Sequence, residues 1–375
     1  MTAALMRIVA LSPAADPAWR ARLAATFDLW FPAYAMAALT LATAIVVAPM
    51  TGHSLDLSGV ANVLEELSGL LVLALLGMLG WRFVAIARAR PPEGPTRALG
   101  RWLVGLVTAR DRWLHTLHTL AVVSIFAISF GLLKGAIALL SPFAWDVAFM
   151  ELDRLLHGGR LAHEWLGGII ASPLALLAIN FVYNLWYFIV LGALVLAGVN
   201  AGGAGGPRHL RFVTAFIALW LFGGFFMAMG FSSAGPCFVG PLGLAADYDG
   251  LMAALRAADA ELQPAFKLWA LGTQDMLLAG HLGERDGTLG ISALPSMHVA
   301  TATLLALYVQ GFGRRAAIGG WLFAAAIMLG SVVLAWHYAV DGYAGALVAW
   351  CVWWATGRVL ERRGMARRRM VRAQS

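Results

Sequence analysis

The chain has 375 residues, of which 61% are hydrophobic and only 13% charged, with a mean hydropathy of +0.76. Soluble domains run near 45–50% apolar and about 25% charged, so the composition excludes an ordinary soluble globule and predicts an all-α polytopic membrane protein. The net charge of +7 comes from arginine, Lys134 and Lys267 being the only lysines, and the arginines gather between apolar stretches, which points to membrane topology rather than to nucleic acid.

A helix needs about 20 residues to cross a ~30 Å hydrocarbon core. Eight stretches meet this, near 29–49, 62–87, 114–139, 169–197, 210–231, 293–311, 316–335 and 340–359. The first 30 residues do not read as a cleavable signal. Arg7 precedes only a short apolar run, followed by Asp16, Arg20 and Arg22. Basic residues then fall at every second connection: the segment from Arg88 to Arg112, the pair Arg208 and Arg211, the pair Arg314 and Arg315, and the tail from Arg358 to Arg372. If the eight spans alternate, all of these lie on one side. The positive-inside rule makes that side, and both termini, cytoplasmic.

The opposite connections are acidic or balanced. The longest, about 232–292, carries Asp247, Asp249, Asp259, Glu261, Asp275, Glu284 and Asp286 against Arg256, Lys267 and Arg285. Two outer segments, Pro142 to Trp165 and Leu251 to Leu282, are too polar to span and too apolar for simple linkers. They read as amphipathic helices in the outer interface, or as a lid on the bundle. The 15 tryptophans suit two aromatic interface belts. Cys237 falls in a loop and Cys351 inside a span, so no disulfide is expected. Three parts follow: 1–113 with two accessory spans and a basic loop, 114–360 with a six-helix core, and 361–375 as a basic cytoplasmic tail.

Two polar islands interrupt the last three spans, Pro295-Ser296-Met297-His298 and His337-Tyr338-Ala339-Val340-Asp341. An apolar out-and-back hairpin separates them, so alternation alone brings both to the outer face. Ionisable residues inside a membrane are costly and mark function. In a helical stretch His337 and Asp341 share a face. Asp341 can then fix the tautomer of His337, the orienting logic of a catalytic triad. Ser296 reads as an N-cap. The first-turn amides behind it form an anion site where a phosphate would touch Ser296 and His298. His and Asp are also ordinary zinc ligands, so a metal site is the alternative reading. On the fourth span, Asn180, Tyr183, Asn184 and Trp186 serve helix packing or line a headgroup path. His115 and His118 fall at the cytoplasmic end. Gly223, Gly224 and Gly230 permit close helix approach.

These islands resemble the second and third signatures of the type 2 phosphatidic acid phosphatase superfamily. Within it, the chain is most similar to the branch holding inositol phosphorylceramide synthase and bacterial inositolphosphotransferase-like proteins. Asp153-Arg154-Leu155-Leu156-His157-Gly158-Gly159 and Ser232-Ser233-Ala234-Gly235-Pro236 resemble the same branch. The resemblance covers about 114–360 and implies a six-helix catalytic core needing no metal or other cofactor. In it His337 attacks phosphorus, Asp341 orients His337, and His298 protonates the leaving alkoxide and then activates the acceptor. The implied partners are a membrane phospholipid and a lipid or alcohol acceptor. The implied reaction moves a phospho-headgroup, for instance phosphoinositol, between them. With water as acceptor the same site would be a lipid phosphatase or phospholipase. A non-enzymatic lipid transporter or scaffold is the reading from another class.

The chain departs from the phosphatase branch in lacking its lysine-to-arginine-proline motif. It also has Gly330 and Ser331 where that branch has a Ser-Arg pair. The usual phosphate clamp is therefore missing or rebuilt, with Arg285, Lys267, Arg154 and Arg160 as outer-side candidates beside Ser296, Tyr183 and Asn180. An alanine- and arginine-rich, lysine-poor composition fits a GC-rich bacterium. The expected location is therefore a bacterial inner membrane with the site facing the periplasm.

Overall fold

The structure is a computed structural model that describes residues 17–52, 69, 72, 76–77, 79–202, 205–284 and 290–374. Among them all regular structure is helical. In chain order we name α1 Pro17–Thr51, α2 Pro95–Thr108, α3 Arg110–Leu140, α4 Asp146–Leu156, α5 Pro173–Val199, α6 Gly206–Gly230, α7 Asp249–Glu261, α8 Trp269–His281, α9 Met297–Val309, α10 Arg314–Val333 and α11 Ala339–Gln374.

Among the described residues, five helices are long and apolar enough to cross a membrane: Leu23–Thr51, Arg112–Leu140, Pro173–Val199, Gly206–Gly230 and Arg314–Val333. Most of the second predicted span, 62–87, lies outside the described residues. The sixth is shorter than expected. α9 has 13 residues, followed by a 3-10 turn to Phe312, against the ~20 needed to cross. Its burial explains the length. Every residue from Val299 to Tyr308 is buried, so α9 is a central helix enclosed by its neighbours and meets no lipid. α11 runs on through the arginine-rich stretch to Gln374.

α9, α10 and α11 pack on one another, α6 lies against α9 and α11, and α1 runs along α3. The largest apolar core includes Trp30, Leu133, Phe212 and Leu219. Around it, Val46, Leu117, Leu174, Leu322 and Leu347 are each more than 60% exposed. Such a girdle suits an integral membrane protein, because lipid tails solvate it as well as protein would. Gly345 shows how close the central packing is. A Cβ there would stand 2.5 Å from the Ser296 carbonyl oxygen, so only glycine lets α11 press against the start of α9.

The two ends differ in charge. Arg110 opens α3, Arg208 lies in the first turn of α6 and Arg314 opens α10, all at one end, where Arg208 donates to the Tyr308 and Leu307 carbonyls at 2.7 and 2.6 Å. These satisfy carbonyls at the end of α9 that have no helical partner. The other end carries α4, α7, α8, the start of α9 and the start of α11. The predicted outer segments contain α4, α7 and α8, of which α4 and α7 are amphipathic in sequence.

Candidate active site

α10 ends in a Schellman motif. The Trp336 amide donates to the Ser331 carbonyl at 3.0 Å and the Ala335 amide to that of Val332 at 3.1 Å. Ala335 takes the left-handed conformation the motif needs, with φ 59°, where glycine is usual. That conformation costs an L-residue about 1 kcal/mol or more. The His337 amide donates to the same Ser331 carbonyl at 3.0 Å. One turn thus reverses the chain and fixes the His337 backbone.

α11 begins only at Ala339, so His337 precedes the helix, a correction to the expected shared helical face. The pair still meets. His337 Nδ1 lies 3.5 Å from Asp341 Oδ2. Asp341 is fully buried and His337 only 7% exposed. Oδ2 also accepts from the Tyr338 amide at 3.0 Å, the half of a capping box in which the third helical residue reaches back to the N-cap. Oδ1 and His337 Nδ1 lack a hydrogen-bond partner within ordinary distance. Buried polar groups of this kind call for an explanation, and a catalytic role is one.

His298, in the first turn of α9, faces His337 with ring centroids 5.9 Å apart. Its ring is held by Tyr183 at 4.7 Å and Trp186 at 4.2 Å, and the Trp186 indole is anchored by donating to Thr301 Oγ1 at 2.8 Å. The Asp341 carbonyl accepts from the Ser296 amide at 2.9 Å, tying the two histidine segments together. The 232–239 stretch braces both. Ser233 accepts from the Ala293 amide through its carbonyl and from the Leu294 amide through Oγ, and the Cys237 amide donates to the Ala335 carbonyl. Gly235, φ 99°, makes this approach possible, since a Cβ would stand 2.9 Å from the Trp336 carbonyl oxygen.

The two rings line a cavity of about 560 Å³. Its walls come largely from α3, α5 and α6 and are mostly apolar, Val123, Phe126, Leu191 and Leu194 among them. Val123 lies eleven residues before Lys134 on α3, about 16 Å at 1.5 Å per residue. Lys134 also lines the cavity, and its Nζ donates to Ser292 Oγ at 2.6 Å. The sequence reading passed over this residue. Its signal was present: a lone lysine inside an apolar span, a position that calls for a functional explanation.

The expected clamp residues go elsewhere. Lys267 donates to the Asp259 and Leu262 carbonyls. Arg154 pairs with Glu151 and Asp247, and the Asp247 hydrogen bond pushes its pKa up. Arg160 faces Glu164 and stacks over Trp165. None of the three lines the cavity. Arg285 lies outside the described residues. Asn180 is buried, and its Oδ1 accepts from the Ala270 amide at 3.1 Å at the start of α8, a packing role. Tyr183 sits behind His298 rather than in the cavity. Its ring fills the space beside Gly330, where a Cβ would come within 2.6 Å of Cδ2. Ser296 is fully buried and caps α9 by accepting from the Val299 amide at 3.4 Å. The expected N-cap is therefore present, but Ser296 does not line the cavity. Replacing Ser296 with alanine should lower stability by about 1 kcal/mol, read as a fall in unfolding temperature, with substrate KM unchanged. Among the described residues no group of three or more His, Cys, Asp or Glu side chains is arranged to hold a metal ion.

Comparison with curated proteins and with solved structures returns no match. A family model described as PAP2 superfamily matches residues 147–355, which run from α4 into α11 and include both histidines, Asp341 and the bracing 232–239 stretch. With more than half of its length matched, the chain belongs to the PAP2 superfamily, a group of phosphatases and phosphotransferases.

Proposed function

We propose that the protein is a lipid phosphotransferase working through a phosphohistidine on His337. The observation that carries this is the pair of facing imidazoles, 5.9 Å apart, lining a mostly apolar cavity that Lys134 also lines. Asp341 occupies the Nδ1 side of His337, which leaves Nε2 to attack phosphorus. The P–O bond to the lipid alkoxide breaks as the N–P bond forms, and His298 gives its proton to the departing oxygen. His298, now neutral, takes the proton of the acceptor hydroxyl. The acceptor oxygen then attacks phosphorus and releases His337. Splitting one displacement into two lowers each barrier, and one histidine can serve as acid and then base. Lys134 supplies the positive charge on the phosphoryl oxygens that the missing arginines would otherwise give.

The cavity supports a lipid as donor. A groove about 16 Å deep along α3 matches half of a ~30 Å hydrocarbon core, the depth of one leaflet's acyl chains. In this reading eight spans cross the membrane, both termini and the arginine-rich end are cytoplasmic, and the histidines serve the outer leaflet of a bacterial inner membrane. α4, α7 and α8 cover the site from outside. With His337 only 7% exposed, a lipid or alcohol acceptor that enters by the same groove is favoured over water. A phosphoinositol headgroup is the transferred group suggested by the branch resemblance.

The test is turnover by the purified protein in nanodiscs, on a panel of phospholipid donors with and without a lipid alcohol, products identified by mass spectrometry. Acceptor-dependent headgroup transfer supports the reading. Product formed equally well without acceptor makes the protein a phosphatase or phospholipase. Unchanged lipid across the panel makes it a carrier or scaffold. The groove makes its own prediction. Ala127, on α3 seven residues before Lys134, lines it. Ala127→Phe should lower kcat/KM for long-chain donors by about tenfold, within the range of apolar pocket discrimination, and leave a short-chain analogue unaffected.

A further inference from the structure

α4 carries a buried stripe of Asp146, Phe149, Met150 and Asp153. This is the i, i+3, i+4, i+7 pattern of an amphipathic helix, yet it begins and ends on a carboxylate. Both carboxylates point into protein, 3% and 1% exposed. Buried acids need partners, and theirs are backbone groups around His337. Asp146 accepts from the Ala234 and Gly235 amides, each at 2.9 Å, and from the Tyr338 hydroxyl at 2.9 Å. Asp153 accepts from the Ala339 amide at 3.2 Å and the Val340 amide at 3.0 Å. Four residues on, His157 Nε2 stands 3.0 Å from the Tyr343 hydroxyl, a further tie from α4 to the first turns of α11.

The capping chemistry explains the arrangement. The first amides of α11 have no helical acceptor. Tyr338, at the N-cap, offers no short polar side chain to take them, and its own hydroxyl goes to Asp146. Asp341 reaches back to the Tyr338 amide. Asp153 therefore supplies from another helix the carboxylate that an N-cap side chain would give, at the positive end of α11. Burial pushes the Asp153 pKa up against the pull of those two amides.

We infer that Asp146 and Asp153 are positioning residues for the reaction, fixing the His337–Asp341 segment without touching substrate. Asp153 holds the amides that would otherwise draw Asp341 away from the His337 ring. Asp146 locks the bracing 232–239 stretch to the tyrosine beside the nucleophile. The kinetic part rests on His337 being the nucleophile; the clamp itself does not.

The test uses the full chain in nanodiscs, with Asp153→Asn, Asp153→Ala and Asp146→Asn compared with wild type. Hydrogen exchange by mass spectrometry, without substrate, reads the amides of 338–341. Turnover on the donor found in the lipid panel reads kcat and KM separately. The expected result is faster exchange confined to that segment in the Asp153 variants, with kcat lower by about 10- to 100-fold and KM within about twofold. Asp146→Asn should move exchange in 234–235 as well. Unchanged exchange at 338–341 in folded Asp153→Ala overturns the clamp. Faster exchange with unchanged kcat overturns the positioning role. Asp153→Asn combined with Asp341→Asn should be little slower than Asp341→Asn alone, whereas fully additive losses also overturn it. If wild type turns over no lipid phosphate, the proposed function fails while the exchange result still decides the clamp.

Discussion

Replacing His337 with alanine should lower phosphoryl transfer by about 10⁴- to 10⁶-fold, the range found when a covalent nucleophile is removed, while lipid still binds. Three features produce the large effect. His337 has a fully buried carboxylate beside Nδ1, Asp341 Oδ2 at 3.5 Å. Its backbone is fixed by the turn that ends α10, through the Ser331 carbonyl. Its ring opens on the apolar cavity rather than on bulk water. Nothing else near the site replaces it, because the facing His298 ring is stacked against Tyr183 and Trp186. His298→Ala should cost about 10²- to 10⁴-fold, the scale of a general acid and base. Substrate binding, read by dye-labelled phospholipid, should survive both changes. Wild-type activity in both variants would remove both histidines from the chemistry.

Replacing Lys134 with methionine should separate activity from stability in opposite directions. Nζ has one hydrogen bond, to Ser292 Oγ, and among the described residues no carboxylate stands within ion-pair distance of it. A partly buried ammonium without a counter-ion destabilises the folded state. An apolar side chain of similar volume removes that desolvation cost. Unfolding temperature should therefore hold or rise. Turnover should fall by about 10²- to 10³-fold, because the proposed mechanism loses its donor to the developing phosphoryl charge. A structural lysine would give the reverse, a less stable protein with normal kcat/KM in the folded fraction.

The legible part of this molecule was whatever depends on local pattern. Hydropathy located the five helices that qualify as spans, because a crossing segment must be apolar over its own length. The two histidine segments stood out because polar residues are rare in such a chain. Their meeting followed from alternation of the hairpin between them. What stayed hidden depends on partners far along the chain. Lys134 meets Ser292 across 158 positions, and Asp153 meets Val340 across 187. Asp146 and Asp153 fall in the segment expected to be an interfacial helix or a lid, and tertiary packing turns both carboxylates inward. Lys267, Arg154 and Asn180 looked like outer-side polar groups free for substrate, and each is occupied by a neighbour that periodicity cannot show. The length of α9 was overestimated for a related reason. An apolar run signals burial, and burial by protein looks the same as burial by lipid.

The central claim is a phosphorus–nitrogen bond at His337. Wild-type protein, quenched in alkali during turnover of a donor labelled in its phosphate and digested for mass spectrometry, should carry label on the peptide holding His337. The label should be acid-labile and base-stable, absent from His337→Ala, and accumulate in His298→Ala if breakdown of the intermediate becomes limiting. Rapid turnover by wild type with no label on that peptide at any quench time, or label on His298 instead, would contradict the account.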